Sequence, residues 1–262
     1  MIDFHNHVLP NIDDGAKSLE VSIEMLKCAH EQGITDVVNT VHFQHPKVEG
    51  RIINYDSIKK ATIDLQKEID NIDLPIKLHF GAEVYYQPNL LNIKDNPLLN
   101  YRHGKYILIE FQPHFIPENH KQVLFDLKMS GVTPIIAHPE RYRLVQNNFN
   151  IINEWLNFGC IIQVSAGSIL GRMGKDIEKT ALKIINNNQC QILGSDAHNN
   201  MNRNFLLKDA YNFIEKIIGK SAIKLVQDNP KAVLEGTEIT ANNNLNIPNK
   251  KLSLLNWFKI KK

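Results

Sequence analysis

Long hydrophobic runs are missing from this 262-residue sequence, and their absence excludes several classes of protein. No apolar stretch reaches the roughly 18 residues that a membrane-spanning helix needs. The first residues, MIDFHNHVLP, contain neither the basic segment nor the apolar stretch of a secretory signal. We therefore expect a cytoplasmic protein without a transmembrane segment.

Cysteine is scarce, and neither sign of charge is in excess. Cys28, Cys160 and Cys190 lie far apart and form no C-x-x-C pair, which argues against a disulfide framework or a zinc knuckle. The 30 Lys and Arg residues against 28 Asp and Glu residues leave a net charge of +2. Proteins that bind nucleic acid usually have a strongly basic face, so we expect no nucleic-acid partner. With 43% hydrophobic and 22% charged residues, the composition is that of a folded globular protein.

Short runs of β-branched and apolar residues recur along the chain and predict seven strands. The runs cover residues 2–7, 36–42, 76–83, 106–110, 133–138, 161–165 and 191–196. Helical periodicity fills most intervals, for example at 18–31, 52–69, 121–129, 150–157 and 177–186. This alternation indicates an α/β fold whose parallel strands are joined by helices. The pattern predicts a single barrel domain at 1–235, then a polar linker and a basic, apolar tail at 236–262.

Residues that commonly bind metals collect where the predicted strands end. In a barrel of parallel strands all carboxyl ends open onto one face, so residues far apart in sequence meet there. The pattern therefore predicts one shared site. The candidate ligands are His5, His7, Asp14, His42, Glu83, Glu110, His138, Asp196 and His198.

Spacing gives a second indication. Residues two apart on a strand point to the same face, and His5 with His7 and Asp196 with His198 have this spacing. A single such pair is more often two partly buried, hydrogen-bonded side chains. The whole constellation favours metal, because buried charges are costly unless they are paired or metal-bound. In the turn after the first strand, either Asp13 or Asp14 could instead cap the helix that follows.

The candidate ligands offer only nitrogen and oxygen donors. Imidazole with carboxylate and without thiolate suits Mn, Fe or Zn, and the high share of carboxylates favours Mn²⁺. Nine ligands are enough for three ions if Glu83 bridges two of them. Four carboxylates do not neutralise three divalent ions, so the predicted site favours an anionic substrate.

The motifs around these residues resemble the PHP (polymerase and histidinol phosphatase) superfamily. They are H-N-H at the first strand, D-D-G after it, T-V-H ending at His42, F-G-A-E-V-Y-Y around Glu83, L-I-E ending at Glu110, I-I-A-H-P-E-R ending at Arg141 and G-S-D-A-H ending at His198. Within that superfamily, their order resembles the manganese-dependent tyrosine-protein phosphatases of the CpsB/CapC type, from Gram-positive capsule and exopolysaccharide loci. The resemblance covers residues 1–235 and not the tail.

The resemblance implies a distorted (β/α)₇ TIM-like barrel, the PHP fold, that holds three divalent metal ions. It implies two phosphate-binding arginines, Arg141 and Arg203. It also implies three ligand sets: His5, His7, Glu83 and Asp196 for one ion, Glu83, Glu110 and His138 for a second, and Asp14, His42 and His198 for the third.

The implied reaction is hydrolysis of phosphotyrosine, with the tail of a capsule tyrosine kinase as the protein substrate. A hydroxide that bridges two metals would attack phosphorus in line. The leaving phenolate of tyrosine, with a pKa of about 10, needs little protonation. No cysteine is followed by the arginine of a C-x₅-R motif, so a cysteine nucleophile is not indicated. The alternatives are a small-molecule phosphoesterase similar to histidinol phosphatase and a non-catalytic scaffold that docks a kinase.

The last residues, KLSLLNWFKIKK, mix lysines with apolar side chains such as Trp257 and Phe258. Such a mixture suits an anionic membrane surface, which would place the protein at the inner face of the membrane. The same apolar residues could instead pack back on the barrel. Closer to the predicted site, His45 could line its mouth, and Tyr85, Tyr86 and Phe43 could form aromatic walls, although aromatic residues beside strand ends more often belong to the core.

Overall fold

The computed structural model describes residues 1–101 and 103–239, and its sheet has seven parallel strands. Each strand pairs with the next one along the chain. Parallel neighbours need a long crossover, which accounts for the helical segments between them. The predicted α/β barrel is confirmed. The strands are β1 (Ile2–Asn6), β2 (Asp36–Phe43), β3 (Lys77–Tyr85), β4 (Tyr106–Glu110), β5 (Thr133–Ala137), β6 (Ile161–Ser165) and β7 (Ile192–Gly194).

Side-chain caps fix where the first two long helices begin. The backbone N–H of Val21 donates to the hydroxyl of Ser18, and Asn54 and Ser57 form a reciprocal capping box. The α-helices are α1 (Leu19–Glu31), α2 (Tyr55–Asp70), α3 (Leu90–Ile93), α4 (His120–Met129), α5 (Arg143–Asn147), α6 (Asn150–Asn157), α7 (Ala166–Ile169), α8 (Lys175–Asn186), α9 (Leu207–Ile218) and α10 (Asn229–Glu235).

The barrel is nearly closed, and the segment that follows β7 joins it to the carboxyl end of β1. A parallel bridge joins Asn6 and Ala197. The N–H of His7 donates to the carbonyl of Ala197 at 2.8 Å, and the N–H of Asp196 donates to the carbonyl of His5 at 2.7 Å. The backbone that closes the barrel therefore also carries four of the predicted site residues.

Apolar side chains fill the barrel interior below the carboxyl end. Phe4, Val38 and Leu108 belong to one fully buried cluster that spans several strands. Alternate residues of a strand share a face, so His42 and Glu110 lie on the same interior face as Val38 and Leu108. The interior is thus apolar below and polar where the strands end.

The prediction that β7 extends to Asp196 is wrong. The strand ends at Gly194 because Ser195 and Asp196 turn towards β1: the N–H of Ser195 donates to the Asp3 carboxylate at 2.9 Å. Asp196 then adopts a left-handed φ of 50°. Asp196 and His198 consequently reach the same site from a loop and not from one strand face.

The predictions for the tail from residue 240 onward lie outside the described residues. Among the residues that are described, none of the helices has the length and apolar character needed to cross a membrane.

Candidate metal centre

All nine residues predicted as ligands lie together at the carboxyl end of the barrel. His5, His42, Glu83 and Glu110 are on strands, and the other five follow strand ends. Seven of the nine are at most 5% exposed; the side chains of Glu110 and Asp14 are 13% and 28% exposed. The predicted convergence is therefore present in the folded chain.

Two residues of the centre have a left-handed backbone, which non-glycine residues adopt rarely and often at functional sites. His138 has a φ of 32° and Asp196 a φ of 50°. After His138, the short 3₁₀ turn Pro139–Arg141 directs Arg141 back to the centre, where it meets Asp196.

Glu83 occupies the middle of the cluster. Its Oε2 atom lies 3.1 Å from His5 Nε2, 3.3 Å from His7 Nε2 and 3.3 Å from His42 Nδ1. Its Oε1 atom lies 2.9 Å from His138 Nε2. Imidazole nitrogens therefore surround both oxygens of Glu83, so this carboxylate is positioned to bridge two cations.

Asp14 forms a second focus near the edge of the cluster. Its Oδ1 atom is 3.2 Å from His42 Nε2 and 3.3 Å from His198 Nε2. One ligand atom each from Asp14, His42, His198 and His7 lies within 4.8 Å of the others. This group contains the three residues of the implied third set together with His7.

Asp196 has a different environment at each oxygen. Its Oδ1 atom faces imidazoles, at 3.6 Å from both His5 Nε2 and His7 Nε2. Its Oδ2 atom accepts from Arg141 at 2.5 Å and from Arg203 at 2.6 Å. Both predicted arginines thus converge on one edge of the cluster.

The ionisable groups of the centre perturb one another strongly. Burial alone would raise the pKa of Glu83, but the charge of His5 and a hydrogen bond from His138 outweigh it and lower that pKa. Burial and the charges of Glu83 and Asp196 raise the pKa of Glu110. Burial and the charge of Arg141 lower the pKa of His138 to about 4. Such opposed shifts are typical of carboxylates and imidazoles crowded around cation positions.

Buried polar atoms without well-formed hydrogen bonds test whether this donor set suits a metal. His5 Nε2, His7 Nε2, Asp14 Oδ1, Glu110 Oε2 and His198 Nε2 are buried and make no well-formed hydrogen bond, although each lies 3.1–3.5 Å from a carboxylate oxygen or imidazole nitrogen of the cluster. Leaving such groups unsatisfied costs about 1–3 kcal/mol each. Imidazole nitrogens and carboxylate oxygens are the donors that Mn, Fe and Zn accept, so the residues fit divalent ions.

Two further side chains that sequence reasoning did not rank as ligands or cations enter the centre. His45, expected only at the mouth, has its Nε2 3.5 Å from Glu110 Oε2; its ring stacks on His42 at 4.4 Å and meets Tyr85 edge-on at 4.7 Å. Lys47 Nζ lies 2.6 Å from Asp14 Oδ2. Both follow β2 in the motif H-P-K, and their position just after His42 is the only sequence signal for them.

A cavity of about 180 Å³ opens above the cluster. Its walls include the candidate ligands His42, Glu83, Glu110, His138, Asp196 and His198 and the cations Lys47, Arg141 and Arg203. An anion that enters it meets cationic side chains on the same walls as the ligands.

The cysteines belong to other parts of the molecule. Among the described residues, the groups that could hold a metal contain histidine, aspartate and glutamate and no cysteine. Burial raises the pKa of Cys160 and of Cys190 to about 12, so neither thiol is a ready nucleophile.

A parallel barrel with imidazoles and carboxylates clustered at the carboxyl ends of its strands is the architecture of barrel enzymes that act with metals. The chain belongs to the CpsB/CapC family of capsular polysaccharide synthesis, whose sequence model matches residues 1–235. The resemblance of the motifs is thereby confirmed.

Similar proteins cover almost the whole chain. CapC of Staphylococcus aureus is 32% identical over 98% of this chain and 99% of its own length. The tyrosine-protein phosphatase YwqE of Bacillus subtilis is 32% identical over 91% of this chain and 93% of its own. A crystal structure from work on YwqE and on CpsB of Streptococcus pneumoniae, described as metal-dependent tyrosine phosphatases, superposes with a TM-score of 0.86 at 30% identity, over 92% of this chain and 96% of its own.

Proposed function

We propose that this chain is a metal-dependent phosphatase that hydrolyses phosphotyrosine in proteins of a capsule or exopolysaccharide system. The observation that carries the proposal is the cluster of buried imidazole and carboxylate side chains, six of which line one small cavity together with two arginines. Membership of the CpsB/CapC family and similarity to the tyrosine-protein phosphatases YwqE and CpsB support the phosphotyrosine specificity.

In the proposal the centre holds three divalent ions, most suitably Mn²⁺. Glu83 would be shared between two of them, because its oxygens face His5 and His7 on one side and His138 on the other. The ligand sets are His5, His7, Glu83 and Asp196, then Glu83, Glu110 and His138, then Asp14, His42 and His198. When bound, such ions supply Lewis-acid charge and lower the pKa of water.

Arg141 and Arg203 bind the phosphoryl group and stabilise the charge that develops on its oxygens. Both guanidinium groups already point at one carboxylate oxygen of Asp196. The second Nη atom of Arg141 donates to the hydroxyl of Ser165 at 2.8 Å, which restricts its rotation. Positioned planar donors of this kind suit an anion with several equivalent oxygens.

The proposed substrate is an aryl phosphate on a flexible protein segment. The phenolate of tyrosine leaves without full protonation, because its pKa is about 10. A flexible segment, such as the tail of a capsule tyrosine kinase, can place its phosphate in a cavity of about 180 Å³. Attachment of the 240–262 tail to an anionic membrane would bring the protein near such a kinase.

The experiment compares three substrates on one preparation. The protein is stripped of metal, reloaded with Mn²⁺, and assayed with a phosphotyrosine peptide, the matching phosphoserine peptide and histidinol phosphate. We expect hydrolysis only after reloading, and a clear preference for the phosphotyrosine peptide. Asp196→Ala should remove both metal and activity while the circular dichroism spectrum stays that of the folded protein.

His79→Ala is the matched control, since this histidine also pairs with a carboxylate, at 2.9 Å from Asp36, but at the start of β2 and outside the centre. It should keep wild-type metal content and activity. Faster hydrolysis of histidinol phosphate than of the phosphotyrosine peptide would assign the chain to the small-molecule phosphoesterases instead. A metal-loaded protein without activity on any of the three substrates would favour the alternative of a non-catalytic scaffold that docks a kinase.

A further inference from the structure

Two buried residues outside the predicted ligand set contact the rings of His5 and His7 on the side away from the cluster. Asp13 Oδ2 lies 2.7 Å from His7 Nδ1, and Gln163 Oε1 lies 3.0 Å from His5 Nδ1. Asp13 is 2% exposed and Gln163 is 1% exposed. Each imidazole therefore has one nitrogen held from behind and the other directed to the centre.

Asp13 makes more contacts than the single pair with His7. Its Oδ2 also accepts from the backbone N–H of His42 at 3.1 Å, and its Oδ1 accepts from the N–H of Gly15 at 2.9 Å. Neighbouring Asp14 differs, because its Oδ1 is buried without a well-formed hydrogen bond and faces two imidazoles. The structure thus separates the two aspartates, which the sequence left as alternatives.

The hydrogen bonds fix the tautomers of the two histidines. An ionised carboxylate only accepts, so His7 Nδ1 must carry a proton and donate it to Asp13. In the neutral imidazole that a metal would require, the lone pair of His7 is then on Nε2, the atom that faces Glu83 and Asp196. Gln163 Oε1 imposes the same tautomer on His5, but as a neutral acceptor. A carboxylate behind a ligating imidazole raises its basicity more than an amide does.

We infer that Asp13 is a positioning residue of the metal centre. It holds the ring of His7 so that Nε2 is the ligand atom, and it fixes the backbone of His42 and the turn that carries Asp14 next to His7. This inference rests on the proposed function only in taking these residues as metal ligands. Through His7, the turn at Gly15 and the backbone of His42, Asp13 connects the first and the third ligand sets. Gln163, by contrast, lies behind His5.

Asp13→Asn tests the inference through metal affinity. The variant keeps the size of the side chain but loses a full acceptor, because an amide cannot accept from His7, His42 and Gly15 at once. We expect its affinity for Mn²⁺, measured by chelator competition, to fall about 10–100-fold. Excess Mn²⁺ should restore much of kcat, as a residue that acts through the metal requires. A folded variant with wild-type affinity would overturn the inference.

Asp36→Asn is the matched control, because it removes a carboxylate 2.9 Å from His79 Nε2 at the opposite end of β2. Its metal affinity should equal that of the wild type.

A measurement on the wild type covers the case in which Asp13→Asn does not fold. In ¹⁵N-histidine-labelled protein loaded with Zn²⁺, His7 should show a protonated, hydrogen-bonded Nδ1, and a protonated Nε2 with a free Nδ1 would overturn the inference.

The two proposals fail separately. A wild-type protein that binds metal but does not hydrolyse phosphotyrosine would contradict the proposed function and leave the affinity comparison intact. An Asp13→Asn protein with wild-type affinity and full activity would contradict only the role given to Asp13.

Discussion

Arg141 and Arg203 are always protonated, and both guanidinium groups face the same oxygen, Oδ2, of the buried Asp196 carboxylate. Burial alone would raise the pKa of Asp196, but these two guanidinium groups and His198 outweigh it and keep the carboxylate ionised. The other oxygen of Asp196 stays available towards the imidazoles. One residue thereby links the positively charged wall of the cavity to the candidate metal positions.

Replacing Arg141 should lower the rate and leave the metal content unchanged, because Arg203 still pairs with the Asp196 carboxylate. We expect Arg141→Ala to lower kcat by about 10²–10³-fold, as removal of one preorganised donor does. Arg141→Lys should recover only part of that loss, because an ammonium lacks the planar fork. Steady-state kinetics and metal analysis of both variants give the answer. Wild-type kcat in Arg141→Ala would remove the arginine from the mechanism.

At the scale of secondary-structure elements, the last residue of β7, Gly194, is packed so closely that a larger residue does not fit there. A Cβ atom on Gly194 would lie 2.2 Å from Gln163 Nε2 and 2.6 Å from His5 Cβ. The contact between Gln163 and His5 therefore depends on a neighbouring strand that carries no side chain at this point.

Gly194→Ala should displace Gln163 or His5 and destabilise the protein by about 1–3 kcal/mol, as overpacking of a dense interior does. Urea unfolding of the metal-free protein measures this loss. Gly167→Ala is the control, because a Cβ there would meet Met173 at an ordinary 3.8 Å. Equal stability of the two variants would contradict the steric interpretation.

Strand order and the cluster of nine residues could be predicted from sequence because both follow from local patterns. Runs of β-branched residues give the bounds of β4 and β6 correctly, and ligand-type residues stand where the runs end. The end of β7 was wrong because its course depends on Asp3, nearly two hundred residues away. Helix α9 was not predicted, and the contacts of Asp13 and Lys47 were not either. The positions of Asp13 and Lys47 near candidate ligands place them close to the centre, but their partners depend on how the loops after β1 and β2 fold.

For the whole molecule, metal binding at the centre would be linked to the stability of the fold. Buried carboxylates from β3, β4 and the loop after β7 face one another, and they raise the pKa of Glu110. Any ligand that binds the folded state alone stabilises it, by about 2.7 kcal/mol at a hundred times its Kd.

Metal removal should accordingly lower thermal stability. A chain of this size shifts by roughly 2–4 °C per kcal/mol, so we expect a Tm about 5–10 °C lower after chelation than at saturating Mn²⁺. Differential scanning calorimetry with and without chelator measures the shift. Asp196→Ala should show little metal-dependent change, and an unchanged Tm in the wild type would argue against a metal bound only by the folded state.

The joint between β1 and β7 also sets the order of events during synthesis. His5 and His7 leave the ribosome first, whereas Asp196, Ala197 and His198 emerge after most of the barrel has been made. An unfinished chain therefore exposes imidazoles without the partners that complete the cluster. A centre that needs Asp196 and His198 can be completed only after β7 has been made, so a chain interrupted before β7 would lack two of the nine candidate ligands.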